Sequence, residues 1–185
     1  QATIQGKTLL PREYLEDINT VLSWIRPTEA PGLRITVYLW WDPRALFHVL
    51  IRSIYGEAYG NQITLIALPR RTAFQKLAIH ELAHYLTVGR SDILRRLSEG
   101  IFEYDVESKE FRSAPNDNVH LPSEYAGKNI YEYVAELIAY VAFKPRLANS
   151  DAIAEYNEVV TPLQEQIILK EVFNDLSPDD LYFGS

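Results

Sequence analysis

The sequence predicts an α+β fold with a small sheet in the first half of the chain and a mostly helical second half. Two runs rich in β-branched and aromatic residues, Leu33–Trp40 and Gln62–Leu68, have the composition of strands. Gly60-Asn61, directly before the second run, is a typical hairpin turn. From residue 129 onward the apolar residues recur with helical spacing.

In the first half, capping residues and proline mark where the helices begin. Pro11 precedes an apolar stripe with helical spacing, and Asp42-Pro43 has the form of an N-cap followed by a first helical residue. In chain order we expect a helix over Arg12–Ile25, a strand over Leu33–Trp40, a helix from Pro43 to about Ile51, strands over Ser53–Tyr59 and Gln62–Leu68, and a helix capped by Thr72 that ends near Val88.

The sequence of the second half predicts helices around one strand or hairpin. Its most apolar helix stops before Pro145, and Thr161-Pro162 has the form of an N-cap and first helical residue. We expect a helix over Ser91–Glu99, a strand or hairpin over Ile101–Arg112, and helices over Asn129–Phe143, Ser150–Val160 and Pro162–Phe173. No repeat or linker divides the chain, so the sequence predicts a single domain over residues 1–185.

Composition excludes several classes of protein. The chain has 185 residues, a formal net charge of −7 and no cysteine. Without cysteine there is no disulfide scaffold, thiolate metal cluster or catalytic thiol. The acidic balance argues against binding of nucleic acid, and no apolar run reaches the length of a membrane span. We expect a monomer.

The absence of methionine suggests where the protein works. The chain has no Met and begins at Gln1. Cys and Met are both oxidised readily outside the cell, and removal of an export signal would explain the first residue. We therefore expect a secreted, extracellular protein. A cytoplasmic protein with a trimmed start is the alternative.

The segment Leu77–Leu86 contains His80-Glu81-Leu82-Ala83-His84, an HExxH motif. On a helix the two histidines lie one turn apart on one face, so both imidazoles can bind the same zinc ion. Glu81 is then placed to reach a water on that ion and act as general base. Because the flanking residues are apolar and bury the helix, the pattern predicts a Zn²⁺ site.

A third ligand has to come from elsewhere in the chain. Thr87 and Arg90 stand where the metzincin pattern requires Gly and His, which excludes that class. The carboxylate candidates for a His₂Glu site are Glu99, Glu132 and Glu136. The last two lie one turn apart on an apolar helix, where buried carboxylates are costly without a cation or a donor. One of them binding the metal and the other holding a ligand histidine would satisfy both.

The stretch Ser123–Tyr140 resembles the anthrax lethal factor catalytic domain and the clostridial Pro-Pro endopeptidases, which are gluzincin zinc metallopeptidases. Tyr125, Glu132 and Glu136 match the pattern of that stretch together, and the family's HExxH falls on His80–His84. The similarity covers about 74–86 and 123–140 and does not extend to the substrate loops. It implies a zincin-like fold, a zinc endopeptidase, Glu132 as third ligand, Glu136 behind a ligand histidine, and Tyr125 as oxyanion donor.

Other assignments remain open at this point. Leu97-Ser98-Glu99-Gly100 is similar to the segment that supplies the third ligand in aminopeptidase-like gluzincins, where Glu99 would bind the ion. The joint match of Tyr125, Glu132 and Glu136 favours Glu132. A zinc-binding interaction domain without catalysis and a toxin-like domain are the alternatives to a self-contained peptidase.

The expected partner is a peptide or protein substrate bound in extended form. In zincin folds an edge strand holds the substrate by main-chain pairing. The strand Gln62–Leu68 precedes the motif helix, and we expect the substrate to run antiparallel along it. We also expect Arg70-Arg71 to be surface charges and Trp24, Trp40 and Trp41 to be core residues.

Overall fold

The computed structural model describes residues 3–5, 10–25, 31–40, 42–44, 56–105, 110–113, 120–144, 147, 150–181 and 183. Over these residues the chain is α+β, with a small mixed sheet of four strands and six helices, which confirms the predicted class. The elements are β1 (Thr3–Gln5), α1 (Arg12–Ser23), β2 (Arg34–Leu39), β3 (Gly56–Tyr59), β4 (Gln62–Ala67), α2 (Arg71–Thr87), α3 (Ser91–Leu97), β5 (Phe102–Asp105), β6 (Glu110–Ser113), α4 (Ile130–Ala142), α5 (Ser150–Val159) and α6 (Pro162–Ile167).

The chain forms two compact units, Gln1–Tyr85 with Tyr182–Ser185 and Leu86–Leu181. The first unit contains the four-stranded sheet, in the order β1-β2-β4-β3. β1, β2 and β4 are parallel, and β3 is antiparallel to β4. The predicted hairpin turn is confirmed: Gly60 has a φ of 58°, a left-handed conformation that glycine adopts without steric cost.

Helices α1 and α2 pack on one face of this sheet. A small apolar cavity in the first unit is lined by both helices and by β2 and β4. Alternation along the strands brings every second residue to that face. The residues around the cavity are Ile18, Val21, Leu22, Ile35, Ile63, Leu65, Ala78 and Leu82. The motif helix is therefore held against the sheet by its apolar side.

The prediction that Gln62–Leu68 is an edge strand is wrong. Strand β4 lies between β2 and β3, and among the described residues β3 forms the edge of the sheet. Ile66 and Ala67 are buried as well as Ile63 and Leu65, so both faces of β4 are covered, as in an interior strand. β3 is short and ends in the exposed Tyr59, both typical of an edge.

The second unit is built around α4, whose residues are almost all buried. The Asn129 side chain caps this helix and accepts hydrogen bonds from the N–H groups of Tyr131 at 2.9 Å and Glu132 at 3.0 Å. Gln164 in α6 donates to the Leu97 carbonyl at 2.7 Å and to the Tyr133 hydroxyl at 3.1 Å. Burial raises the pKa of Tyr133 to about 12. These contacts fix α4 against α3 and α6.

Several predicted elements agree with the structure. The segment Ile101–Arg112 is a hairpin, β5 paired antiparallel with β6. Thr161 caps α6 in a capping box with Gln164, and the helix continues beyond Ile167 as one π-helical turn over Ile168–Val172. The Asp42 side chain accepts from the Arg44 N–H at 2.9 Å, as expected at a helix start. The remainder of that predicted helix, and residues 53–55 of the predicted strand, lie outside the described residues.

Three expectations are corrected. Helix α2 begins at Arg71, so Thr72 lies inside it and is not its N-cap. Arg71 is paired with the buried Asp17 and is not a simple surface charge. Of the tryptophans predicted in the core, Trp24 is buried, Trp40 is 54% exposed and is not part of the core, and Trp41 lies outside the described residues. In the part of the chain described, no helix is both long and apolar enough to cross a membrane.

Candidate metal centre

Helix α2 places the two motif histidines on one face, as their spacing predicts. The Nε2 atoms of His80 and His84 are 3.0 Å apart, and the ring centroids are 4.7 Å apart with the planes nearly perpendicular. His80 is buried and His84 is half-buried. Two imidazole nitrogens directed at one point form half of a tetrahedral metal site.

Glu132 completes this group. Its carboxylate oxygen and the ring nitrogens of His80 and His84 all lie within 4.8 Å of one another. Glu132 stands in the first turn of α4, where the Asn129 cap fixes its backbone N–H. The structure therefore contains a His/His/Glu group close enough to bind a metal ion.

The donor set fits zinc. Zinc binds imidazole nitrogen and carboxylate oxygen at about 2.0–2.2 Å in a tetrahedral arrangement, so the ligand atoms of one ion lie about 3.3–3.6 Å apart. The three ligand atoms here lie within 4.8 Å of one another, so the side chains would have to come closer together around a bound ion. Two neutral imidazoles and one carboxylate suit zinc and also other divalent transition metals, so the donors define a class of ion and not one element.

Glu81 lies beside the histidines in the sequence and is 5% exposed. Its side chain lies against the edge strand: a Cβ added to Gly56 would be 2.5 Å from Oε1 and 2.8 Å from Cδ of Glu81. With any larger residue at position 56, the Glu81 side chain would have to shift from this place. Gly56 is a functional candidate that the sequence reasoning missed, because the contact depends on how β3 and α2 pack.

Tyr125 lies in a short 3-10 turn, Tyr125–Gly127, just before α4. It is 44% exposed, and its hydroxyl donates to Glu132 Oε1 at 3.4 Å, a long and therefore weak hydrogen bond. The Lys128 ammonium lies 3.7 Å from the centre of the Tyr125 ring, in cation–π geometry. The structure thus brings the predicted oxyanion donor to the predicted carboxylate ligand.

The two other carboxylate candidates differ in their surroundings. Glu136 is 7% exposed and follows Glu132 by one turn of α4. Glu99 is exposed in the turn after α3 and does not belong to the His/His/Glu group. Of the three candidates, Glu132 is the one that the structure groups with the histidines.

A buried polar network ties the start of α2 to α1. Asp17, 1% exposed, accepts two hydrogen bonds from the Arg71 guanidinium, each 2.9 Å, and one of 2.7 Å from Gln75. Tyr14 adds an edge-to-face contact with Phe74 at 4.8 Å. Sequence reasoning missed Asp17, although an acidic residue beside Ile18 in an apolar stripe is a signal for a buried pair.

Comparisons of the chain with family models, with curated proteins and with solved structures found no match in any of the three. The fold and the site therefore define a class by their own geometry: an α+β protein with a His/His/Glu group able to bind a metal ion.

Proposed function

We propose that this protein is a zinc-dependent endopeptidase of the gluzincin type. The observation that carries the proposal is the His80, His84 and Glu132 group, with the Glu81 carboxylate beside it in the motif and buried against Gly56. The resemblance of 74–86 and 123–140 to gluzincin peptidases supports the same function. His80, His84 and Glu132 would hold the ion.

The chemistry divides between the ion and the side chains. When bound, zinc lowers the pKa of a water molecule and polarises the carbonyl of the bond to be cleaved. Glu81 takes the proton of the attacking water as general base and delivers it to the leaving amine. Its burial beside Gly56 limits the positions that the carboxylate can take, and such restriction favours proton transfer in a fixed direction.

Tyr125 and Glu136 support the reaction from α4 and the turn before it. The Tyr125 hydroxyl donates a hydrogen bond to the oxyanion that develops on the substrate. Its hydrogen bond to Glu132 is long, at 3.4 Å, so exchanging it for a bond to the oxyanion costs little. Glu136, buried one turn after Glu132, holds the imidazole of a ligand histidine in position.

The substrate binds along β3 and not along β4. β4 has strands on both sides, whereas β3 forms the edge of the sheet in the described residues. β3 also carries Gly56, next to Glu81. An extended peptide or protein segment would pair antiparallel with β3 through main-chain hydrogen bonds, which brings its backbone to the general base.

The test is the substitution Glu81→Gln. We expect the variant to bind zinc as the unchanged protein does and to lose at least about 100-fold in kcat/KM on a peptide library, because the general base is gone. Glu103→Gln, the same change at an exposed residue of β5, serves as matched control.

Two results would contradict the proposal. One is undiminished cleavage by Glu81→Gln. The other is zinc bound stoichiometrically by the unchanged protein without cleavage of any peptide, which would favour a non-catalytic zinc-binding domain.

A further inference from the structure

The register of the β3–β4 hairpin determines which backbone groups face the edge that β3 forms among the described residues. The two-residue turn at Gly60-Asn61 makes Tyr59 and Gln62 the hydrogen-bonded pair that closes the hairpin. In an antiparallel ladder such pairs alternate along the strands, so Glu57 also directs its N–H and C=O to β4. Gly56 and Ala58 direct theirs to the other side, where a peptide can pair.

The side chains of β3 alternate between the two faces of the sheet. Gly56 pairs with Leu65 and Ala58 with Ile63, and those two β4 residues face the helices. Gly56 lies on that face against Glu81. Glu57 pairs with Thr64 and so directs its carboxylate to the opposite face, where it is half-buried.

We propose that Glu57 makes this site prefer a substrate with Lys or Arg at one position. The inference rests on the proposed function. A peptide that pairs with Gly56 and Ala58 places one of its own residues opposite Glu57, in a non-hydrogen-bonded pair. Side chains of such a pair lie on the same face and approach closely, and opposite charges there stabilise the pairing. A cationic side chain is the one that complements Glu57.

The same register predicts on which side of the cleaved bond this residue lies. A peptide antiparallel to β3 runs from Tyr59 towards Gly56. Glu81 lies beside Gly56, so the bond to be cleaved is at that end. The residue opposite Glu57 therefore precedes the cleaved bond and lies on its N-terminal side.

The test compares peptides that differ in one residue. A labelled positional-scanning peptide library carries Lys or Gln at each position on either side of the cleaved bond. For the zinc-loaded protein we expect Lys to raise kcat/KM about 1.5- to 5-fold at one N-terminal-side position, and added salt to reduce this preference. Glu57→Gln should abolish the preference and Glu57→Lys should reverse it.

A control variant separates the local effect from overall charge. Glu13→Lys changes the net charge by the same amount at an exposed position on α1, and it should retain the preference for Lys. A preference that persists in Glu57→Lys, or that is lost equally in Glu13→Lys, overturns the proposal.

Measuring the binding of the same library to Glu81→Gln tests the role of Glu57 separately from the proposed catalysis. That variant reports peptide binding without cleavage. A Lys preference in binding that disappears when Glu57→Gln is added supports the role of Glu57 even if the unchanged protein cleaves nothing. Absence of that preference, or of all peptide binding, overturns it.

Discussion

The backbone of Gly56 lies against the side chain of Glu81, so closely that a Cβ on the glycine would be 2.5 Å from Oε1 and 2.7 Å from Cγ of the glutamate. Real Cβ atoms essentially never approach a heavy atom closer than 3.0 Å. The identity of an edge-strand residue thus controls where the proposed general base can lie.

Gly56→Ala is expected to lower kcat on the order of 100-fold, because the added methyl group displaces the Glu81 carboxylate. Zinc content should stay unchanged. Gly60→Ala is the control: its φ of 58° makes the alanine strained by about 1–2 kcal/mol, but nothing lies within 4 Å of the new methyl group. Full activity of Gly56→Ala in steady-state kinetics would contradict this placement of Glu81.

Tyr125→Phe removes the hydroxyl proposed to stabilise the oxyanion. We expect kcat to fall about 100- to 1,000-fold, as for the loss of one oxyanion donor, with the zinc content retained. Tyr131→Phe removes a hydroxyl from another exposed tyrosine close by in the sequence and should leave kcat unchanged. If Tyr125→Phe lost zinc instead, Tyr125 would serve the metal site and not the reaction.

Measurements of zinc affinity distinguish the three candidates for the carboxylate ligand. Glu132→Gln removes a ligand and should weaken zinc binding most. Glu136→Gln should weaken it about 10- to 100-fold, as for a residue that holds a ligand in place. Glu99 is exposed outside the group, so Glu99→Gln should have no effect. Competition with a chromophoric chelator measures all three, and a large loss in Glu99→Gln would reverse the assignment.

Asp17→Ala is expected to destabilise the fold by about 2–3 kcal/mol, because it leaves the Arg71 and Gln75 donors without their buried acceptor. Glu16→Ala breaks the exposed pair with Arg12 and should cost less than about 0.5 kcal/mol. Urea unfolding measures both. Equal effects of the two substitutions would show that the Asp17 network does not stabilise the motif helix.

Local sequence predicted the elements whose signals are local. The Gly60-Asn61 hairpin, the Thr161 cap and the motif helix depend on residues a few positions apart, and the structure contains all three. The i, i+4 spacing alone placed the two histidine nitrogens together. β1 was missed because three residues, Thr3–Gln5, become a strand only by pairing with β2.

Which strand forms the edge depends on pairing between distant segments. From the sequence we predict an edge strand at Gln62–Leu68, although the apolar run Leu65–Leu68 within it is typical of an interior strand. The grouping of Glu132 with the histidines also depends on distant segments. No spacing rule relates Glu132 to His84, and only the resemblance to gluzincins favoured it over Glu99. The Gly56 contact had no signal in the sequence, because it arises from the packing of β3 on α2.

The anchoring of α2 by Asp17 has a consequence for how the protein would acquire its ion. In the first turns of this helix, Arg71 and Gln75 donate hydrogen bonds to Asp17, and Asp17 is not one of the candidate metal ligands. We therefore expect the helix, and with it the histidine pair, to form without an ion. Zinc would then bind reversibly to the folded protein. The free zinc concentration around the protein would set the fraction of molecules that contain zinc and are active.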